Sequence, residues 1–264
     1  MLSRLNAPLL GVRDLGVRFG GIVALDKLSF DVEAGRIVGL IGPNGAGKTT
    51  LFNCLSRLYQ PTEGEILFEG RSLLALPAHG IAALGIGRTF QNLALFRSLS
   101  VFENVALGRH CRAQGGFFSH AIRLPRVARE EREASERAAE LVRLLHLEPF
   151  AQAPVASLPF GTQKRVELAR ALASDPKLLL LDEPASGLNH EEVGALVALI
   201  RDIRDRLGVT VLLVEHHMGL VMSVSDKVVA LDFGRKIAEG RPAEVRDHPE
   251  VIRAYLGTAP AAVH

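Results

Sequence analysis

The chain contains 264 residues, of which 48% are hydrophobic and 23% charged, a composition typical of globular proteins that excludes a largely disordered chain. Its 31 basic and 29 acidic residues nearly cancel, and aromatic residues make up 5% with no Trp, so a base-stacking surface is disfavoured and no nucleic-acid partner is expected. The 2 cysteines lack metal or disulfide spacing, and we find neither a secretion signal nor an apolar run near the ~18 residues of a membrane helix, so we expect a soluble, cytoplasmic protein.

Short apolar runs separated by glycine turns occupy the first third of the chain. The runs that predict strands are Leu9–Val12, Ser29–Val32, Ile37–Ile41 and Glu65–Phe68. A glycine-rich turn from Gly42 to Gly47 follows the third run and leads into a predicted helix, Lys48–Leu58. This succession of strand, glycine turn and helix is the local context in which phosphate-binding loops occur.

Helical periodicity replaces the strand pattern from about residue 91 to residue 165. The clearest helix carries apolar residues at i, i+4, i+7, i+8 and i+11, which are Ala134, Ala138, Leu141, Val142 and Leu145. We therefore predict a helical subdomain inserted into an α/β core.

Helices and strands alternate in the remainder of the chain. The predicted helices are Thr162–Ala173 and Glu191–Leu207, the predicted strands are Leu178–Leu181 and Thr210–Val214, and Lys227–Ala238 is a predicted hairpin. Such alternation indicates a parallel sheet with right-handed crossovers. We interpret residues 1–264 as one domain, with a core at 1–91 and 165–240, a helical part at about 92–164 and a C-terminal helical tail at 241–264.

Residues 42–49 match the phosphate-loop pattern GxxxxGK[ST] at every fixed position. The residues expected to contact a nucleotide are Gly42, Pro43, Asn44, Gly45, Ala46, Gly47, Lys48, Thr49 and Thr50. Glycines let backbone N–H groups surround phosphate oxygens, and the start of the following helix adds positive potential. Lys48 supplies a charge for the β- and γ-phosphates, and the Thr49 hydroxyl is a ligand for Mg²⁺. The alternative is an ordinary glycine turn with a solvated lysine, and the full match in its context favours nucleoside triphosphate binding.

A later apolar run ends in two acidic residues, Asp182 and Glu183. A carboxylate at such a strand end lies beside the phosphates, where Asp182 would hold Mg²⁺. Glu183 is then positioned to orient or deprotonate the water that attacks the γ-phosphate. The alternative is an acidic pair that only caps the next element. A small GTPase is disfavoured because no Asn-Lys-x-Asp motif occurs, and Asp232-Phe233-Gly234 is interpreted as a hairpin turn rather than a kinase metal motif.

Taken together, these motifs resemble the ATP-binding subunit of ABC transporters over essentially the whole chain. The resemblance implies an α/β fold: a P-loop NTPase (RecA-like) core with a mixed sheet, an antiparallel β subdomain and an inserted α-helical subdomain. It implies ATP and Mg²⁺ as cofactors. It also implies that Phe19 stacks on adenine, that Gln91 senses Mg²⁺ and takes part in catalysis, and that His216 contacts the γ-phosphate.

The resemblance further implies that two such subunits meet head to tail. Phe160 and Gly161, at the position of the family's signature motif, would then face the ATP of the partner subunit. Pro159 stands where the family has a serine, and Phe160 where it has a first glycine, which puts the catalytic rate in question. Because proline is tolerated in the first turn of a helix, we expect a helix to start here with Ser157 as its cap.

Several runs narrow the resemblance to the importers of branched-chain amino acids. They are Gly87–Asn92, Gly187–Asn189, Glu215-His216 and, most discriminating, Val251–Gly257. The narrower resemblance implies a subunit on the inner face of the cell membrane, paired with an identical or related second ATPase. It also implies two membrane permease subunits and, indirectly, a periplasmic solute-binding protein. The implied cargo is branched-chain or related amino acids, amides or urea.

Alternative interpretations stay open at this point. An ABC ATPase of another transport system, such as lipopolysaccharide export, would carry the same motifs. A non-transport ATP clamp normally has long coiled coils, and the helical pattern here is too short for them. Pro159 favours a module that senses ATP without useful hydrolysis, whereas Asp182 and Glu183 argue against it. The stretch Arg109–Arg129 has five arginines and no acidic residue, which predicts either a solvated face or a surface near anionic lipid or the membrane subunits.

Overall fold

Two β-sheets form the framework of the part of the chain that the structure describes. The structure is a computed structural model and describes residues 8–89, 93–109 and 125–256. In chain order, its strands are β1 (Leu10–Phe19), β2 (Ile22–Val32), β3 (Ile37–Ile41), β4 (Glu63–Phe68), β5 (Arg71–Ser72), β6 (Ile86–Arg88), β7 (Leu178–Asp182), β8 (Thr210–Val214), β9 (Lys227–Asp232) and β10 (Arg235–Gly240). Its α-helices are α1 (Lys48–Leu55), α2 (Val101–Leu107), α3 (Pro125–Leu144), α4 (Phe160–Leu172), α5 (His190–Leu207), α6 (Met218–Val224), α7 (Pro242–Arg246) and α8 (Pro249–Leu256).

The first sheet is antiparallel, with the strand order β2-β1-β4-β5. Its longest strands, β1 and β2, form a hairpin whose apolar residues are buried on the inner face, for example Leu10, Val12 and Leu28. These residues share a core with Leu51 and Phe52 of α1. The sheet therefore covers the helix that follows the phosphate loop, and it is the antiparallel β subdomain that the sequence predicts.

The second sheet is mixed, with the order β10-β9-β3-β8-β7-β6. Strands β9, β3, β8, β7 and β6 run parallel, and β10 is antiparallel to β9. Every residue of β3, β7 and β8 is buried, as is typical of parallel strands covered on both faces. Since the carboxyl ends of parallel strands meet at one edge, β3 leads there into the phosphate loop, while Asp182 at the end of β7 pairs with Val214 at the end of β8.

Helices α2 and α3 lie between β6 and α4 in the sequence and pack with α4. Helix α2 begins with a capping box, in which Ser100 and Glu103 bond each other's backbone N–H groups. The apolar face predicted for α3 is buried, because Ala138, Leu141 and Leu145 have no exposed surface and share a core with the second sheet. The inserted helical part is thus a feature of the fold, and its boundaries at about 92 and 164 stay a prediction.

Some element boundaries differ from the sequence prediction. Helix α1 ends at Leu55 rather than Leu58, because Arg57 adopts a left-handed conformation with a φ of 58°. Strand β6 is not predicted, since three residues are too few to establish an alternating pattern. Strands β1 and β2 extend to 10 and 11 residues, because their antiparallel pairing continues beyond the predicted runs as far as Phe19 and Ile22 at the hairpin turn. Among the described helices, none combines the length and apolarity needed to cross a membrane.

Candidate active site

The phosphate loop, residues 42–49, connects the buried strand β3 to α1. Gly45 and Gly47 have φ angles of 83° and 97°, a region that other residues rarely adopt. A Cβ on Gly47 would lie 2.6 Å from the carbonyl oxygen of Ala24 in β2, so the loop lies directly against the first sheet. Helix α1 begins at Lys48, which leaves the N–H groups of its first turn without intrahelical acceptors. The loop has the backbone geometry that phosphate binding requires.

Lys48 lies within this loop. Its Nζ donates hydrogen bonds to the carbonyl oxygens of Gly42 (2.5 Å) and Pro43 (2.9 Å), and the side chain is almost fully buried. Burial lowers the pKa of the Lys48 amine below its ordinary value, and the negative charge of Glu183 acts in the opposite direction. The electrostatic coupling places Lys48 and Glu183 in one site, although 135 residues separate them in the sequence.

Asp182 forms a buried ion pair at the end of β7. Its Oδ2 lies 2.8 Å from Nη2 of Arg88, and the two side chains are only 6% and 10% exposed. Arg88 lies at the end of the neighbouring strand β6. It also donates hydrogen bonds of 2.9 to 3.2 Å to the Phe52 carbonyl and Asn53 Oδ1 in α1 and to Ser56 Oγ directly after α1. One guanidinium group therefore fixes the position of Asp182 relative to the helix that follows the phosphate loop. Arg88 lies in the run Gly87–Asn92, but the run itself gives no sign of this ion pair.

Oxygen donors for a divalent cation come from two sides of this sheet edge. The Thr49 side chain is exposed at the start of α1, and the Asp182 carboxylate ends β7. Proteins hold Mg²⁺ through one or two carboxylates together with substrate phosphates rather than through a complete protein cage. Within the described ranges, no group of three or more His, Cys, Asp or Glu side chains is arranged to hold a metal ion. The donor set suits a Mg²⁺ ion that binds together with a nucleotide.

Glu183 and His216 face each other at the same edge. The Glu183 N–H donates to the carbonyl oxygen of Val214 (2.9 Å), and the residue has a φ of 47°, so the chain turns sharply after β7. Oε1 of Glu183 lies 3.8 Å from Nδ1 of His216. Glu183 is 22% exposed and His216 is 59% exposed, which leaves both accessible from outside. The sequence assigns these two residues to the γ-phosphate, and the fold brings them together.

Glu215 joins the two loops that carry these residues. It is fully buried, and its carboxylate accepts hydrogen bonds from the N–H groups of Ala185 (2.7 Å), His216 (3.2 Å) and His217 (3.4 Å). Ala185 follows Glu183 by two residues, so one carboxylate restrains the backbone on both sides of the Glu183–His216 pair. This positioning role of Glu215 is not among the roles predicted from the sequence. Its signal is an acidic residue at the end of an otherwise apolar strand.

The start of α4 lies at the predicted signature position. The helix begins at Phe160 with Pro159 as N-cap and no capping side chain. The expected cap by Ser157 is wrong, because this residue lies in a preceding 3₁₀ turn and its hydroxyl donates to the Pro154 carbonyl (2.8 Å). The first N–H groups of the helix, including that of Gly161, lack intrahelical acceptors, and helix starts of this kind are common anion-binding positions in proteins.

Phe160 packs against the loop that follows β7. A Cβ on Gly187 would lie 2.8 Å from the Phe160 ring, and Nζ of Lys164 lies 5.6 Å from the ring centroid. Glu192 of α5 packs against Gly161 and forms a capping box with Asn189. The signature helix and the loop between Glu183 and α5 are therefore in contact within one subunit.

Comparisons with known proteins agree with this arrangement. A family model described as ABC transporter matches residues 25–186, which include the phosphate loop and the Asp182-Glu183 pair. The chain belongs to the ABC transporter family. A second family model, described as branched-chain amino acid ATP-binding cassette transporter, matches residues 235–261. The family resemblance predicted from the motifs is confirmed.

Similar ABC proteins and structures cover nearly the whole chain. The high-affinity branched-chain amino acid transport ATP-binding protein BraF of Pseudomonas aeruginosa is 45% identical over 255 residues, which cover 97% of this chain and 100% of BraF. LivG of Escherichia coli K12, which has the same description, is 43% identical with the same coverage. Among solved structures, the ADP conformation of MJ1267, an ATP-binding cassette of an ABC transporter, has a TM-score of 0.83 at 28% identity and covers 96% of this chain and 100% of its own. The dimeric structure of the bacterial ABC transporter cassette MJ0796 has a TM-score of 0.74 at 26% identity and covers 88% and 98%. The predicted P-loop NTPase fold is confirmed.

The structure describes some, but not all, of the other residues that the ABC resemblance assigns to the site. Phe19 lies at the end of β1, is 46% exposed and contacts Tyr59 edge-on, with 5.3 Å between the ring centroids. Gln91, assigned to Mg²⁺ and catalysis, lies outside the described residues. So does most of the arginine stretch, of which Arg109 forms an ion pair with Asp175 (2.6 Å). That residue therefore contributes to internal packing, and the membrane hypothesis for the rest stays a prediction.

Proposed function

We propose that this ABC protein is the ATP-hydrolysing subunit of an importer for branched-chain or related amino acids. The observation that carries the proposal is the meeting of Lys48, Asp182, Glu183 and His216 at one edge of the parallel sheet. The cargo class is supported by the match of residues 235–261 to the branched-chain amino acid transporter model and by the similarity to BraF and LivG.

The residues at the sheet edge divide the hydrolytic reaction among them. The loop N–H groups and Lys48 bind the triphosphate and neutralise its charge, while Phe19 stacks on the adenine. Glu183 accepts a proton from the attacking water, and His216 donates a hydrogen bond to the γ-phosphate. Thr49 and Asp182, with Gln91, would hold Mg²⁺, which would neutralise phosphate charge. No covalent intermediate is needed, because positioning and charge stabilisation lower the barrier.

A head-to-tail pair of subunits completes each site in this proposal. Phe160 and Gly161 at the start of α4 would face the γ-phosphate of the ATP that the partner binds. The positive end of α4 would then lie next to that phosphate. The similarity to the dimeric MJ0796 cassette supports the pairing. Since Phe160 also contacts the loop after Glu183 in its own subunit, closure of the pair would affect both sites.

We further propose that the pair binds two permease subunits at the inner face of the cell membrane and, through them, a periplasmic solute-binding protein. A groove lies between the segment that follows α1, strand β6 and the helices α2 and α4, and Arg88 and Phe96 are among its lining residues. Leu58, Phe96 and Leu107 expose 40 to 57% of their surface around it. Exposed apolar groups clustered at a groove support binding of a permease segment there.

The experiment that tests the proposal is reconstitution of the chain with its permease subunits and binding protein in vesicles. Leucine or a related amino acid is expected to stimulate MgATP turnover and to accumulate in an ATP-dependent manner. Variants that remove an apolar side chain at the groove rim without changing the net charge, such as Phe96→Ser, are expected to weaken co-purification with the permease. The isolated chain is expected to keep its ATPase activity. Turnover that responds to no amino acid, amide or urea would contradict the transport assignment.

A further inference from the structure

The C-terminal helix makes a direct hydrogen bond to the phosphate loop. The N–H of Gly42 donates to the Tyr255 hydroxyl oxygen at 2.8 Å, across 213 residues of sequence. Tyr255 lies on α8 and keeps 38% of its surface exposed, while its hydroxyl reaches the loop. Burial raises the pKa of its hydroxyl, and the bond from Gly42 lowers it to a smaller extent. The phenol therefore stays neutral at physiological pH and accepts this bond through a lone pair.

The docking of α8 explains why the hydroxyl lies at this point. Val251, one turn before Tyr255, is 2% exposed and belongs to a core cluster with Ile41, Val228 and Val245. Ile41 is the last residue of β3 and directly precedes Gly42. The contact that buries Val251 thus also places Tyr255 against the start of the phosphate loop.

Gly42 is restrained on each of its backbone groups. Its carbonyl oxygen accepts a hydrogen bond from Nζ of Lys48 at 2.5 Å, while its N–H is bound by Tyr255. A Cβ at this position would lie 2.4 Å from the carbonyl oxygen of Leu231, so the Cα has no room to move toward β9. The Tyr255 hydroxyl and the Lys48 ammonium therefore bind the two peptide groups on either side of the Gly42 Cα.

We propose that Tyr255 is a positioning residue for nucleotide binding, which holds the first glycine of the phosphate loop in its binding conformation. The inference rests on the proposed nucleotide site and adds a role for the C-terminal helix. Without the hydroxyl, the loop is less ordered before the nucleotide binds. Part of the binding free energy is then used to order it, and the affinity for the nucleotide falls. The chemical step is expected to change little, because Asp182 ends β7 and Glu183 follows it, and β8 separates β7 from β3 and the loop that Tyr255 contacts.

The test compares Tyr255→Phe, which keeps the ring and removes only the hydroxyl, with Leu256→Ala on the same helix. Leu256 is 82% exposed and serves as the control for changes in α8 that do not touch the loop. In the nucleotide-free protein, the Gly42 amide is expected to exchange with solvent deuterium at least about tenfold faster in Tyr255→Phe. The Kd and KM for MgATP are expected to rise about two- to tenfold, the range for loss of one hydrogen bond, while kcat stays within about twofold.

Several results would overturn the inference. They are unchanged exchange of Gly42 in Tyr255→Phe, faster exchange with an unchanged Kd, a fall in kcat at unchanged KM, or equal effects in Leu256→Ala. If Tyr255→Phe failed to fold, wild-type exchange would decide, since an unprotected Gly42 amide contradicts the hydrogen bond. Failure of the wild-type chain to bind MgATP would instead contradict the proposed function, so the two failures are distinguishable.

Discussion

Replacement of Arg88 by methionine removes the ion-pair partner of a carboxylate that is almost completely buried. Asp182 is 6% exposed, and the 2.8 Å bond to Arg88 is lost together with the guanidinium bonds to Phe52 and Ser56. Removal of one member of a buried pair typically costs about 3–5 kcal/mol, because the other charge stays buried without compensation. We expect the free energy of unfolding of Arg88→Met to fall by about that amount.

The assay is denaturant unfolding of Arg88→Met, Asp182→Leu and the double variant. The double variant buries no unpaired charge. Its loss in the free energy of unfolding is therefore expected to be smaller than the sum of the two single losses, by at least about 2 kcal/mol. The matched control is Arg206→Met in α5, whose ion pair with Asp202 is 3.3 Å long and lies on the surface at 65% and 39% exposure. That variant is expected to lose less than about 1 kcal/mol. Equal losses in Arg88→Met and Arg206→Met, or additive effects in the double variant, would refute the reasoning.

Two further predictions concern hydrolysis and a buried thiol. Glu183→Gln removes the proton acceptor without changing the shape of the side chain, so MgATP affinity is expected to stay within about threefold while phosphate release falls by about 10²–10⁴-fold; near-normal release would contradict the assignment. Burial raises the pKa of Cys54 from 9.0 to about 11, against the opposing charge of Arg57. A raised pKa means that the folded state favours the neutral thiol, so this stabilisation is complete below pH 9 and is lost as the pH rises to 11. The stability of wild type relative to Cys54→Ala is therefore expected to fall by about 2 kcal/mol between pH 9 and pH 11 in urea titrations, and a constant difference would count against the burial of the thiol.

The sequence predicts those strands and helices whose buried residues form a recognisable pattern over a few neighbouring positions. Strands β3, β7 and β8 are buried on both faces and so appear as continuous apolar runs. The buried face of α3 follows from the spacing of Ala138, Leu141 and Leu145. Strand β6 is too short for such a pattern and exists because it pairs with β7, a partner that is distant in the sequence.

The same distinction separates the predicted from the missed residues of the candidate site. Some site residues can be found from their neighbours in the sequence. Lys48 follows the glycine turn after an apolar run, and Asp182 and Glu183 directly follow another apolar run. The contact between Arg88 and Asp182 spans 94 residues, and the one between Tyr255 and Gly42 spans 213. Arg88 and Tyr255 lie in runs that carry the family resemblance, but the partner that each one contacts depends on the tertiary structure.

The helix cap at the signature position illustrates a prediction that failed for a local reason. Ser157 has the right chemistry and lies close to the start of α4 in the sequence. The chain however makes a 3₁₀ turn at Val155–Ser157, and the serine hydroxyl bonds back to Pro154. The helix then starts three residues later with Pro159 as its N-cap. A residue type that favours capping therefore does not settle where a helix begins.

We expect the loop around Lys48 and the carboxylates at the end of β7 to form one site for MgATP. The rate of phosphate release from MgATP by the purified chain, compared with Lys48→Ala, tests this expectation. Release by the wild-type chain is expected to be saturable and at least about 100-fold faster than in the variant, since Lys48→Ala removes the positive charge at the β- and γ-phosphates. Release at the same rate by both proteins would contradict it.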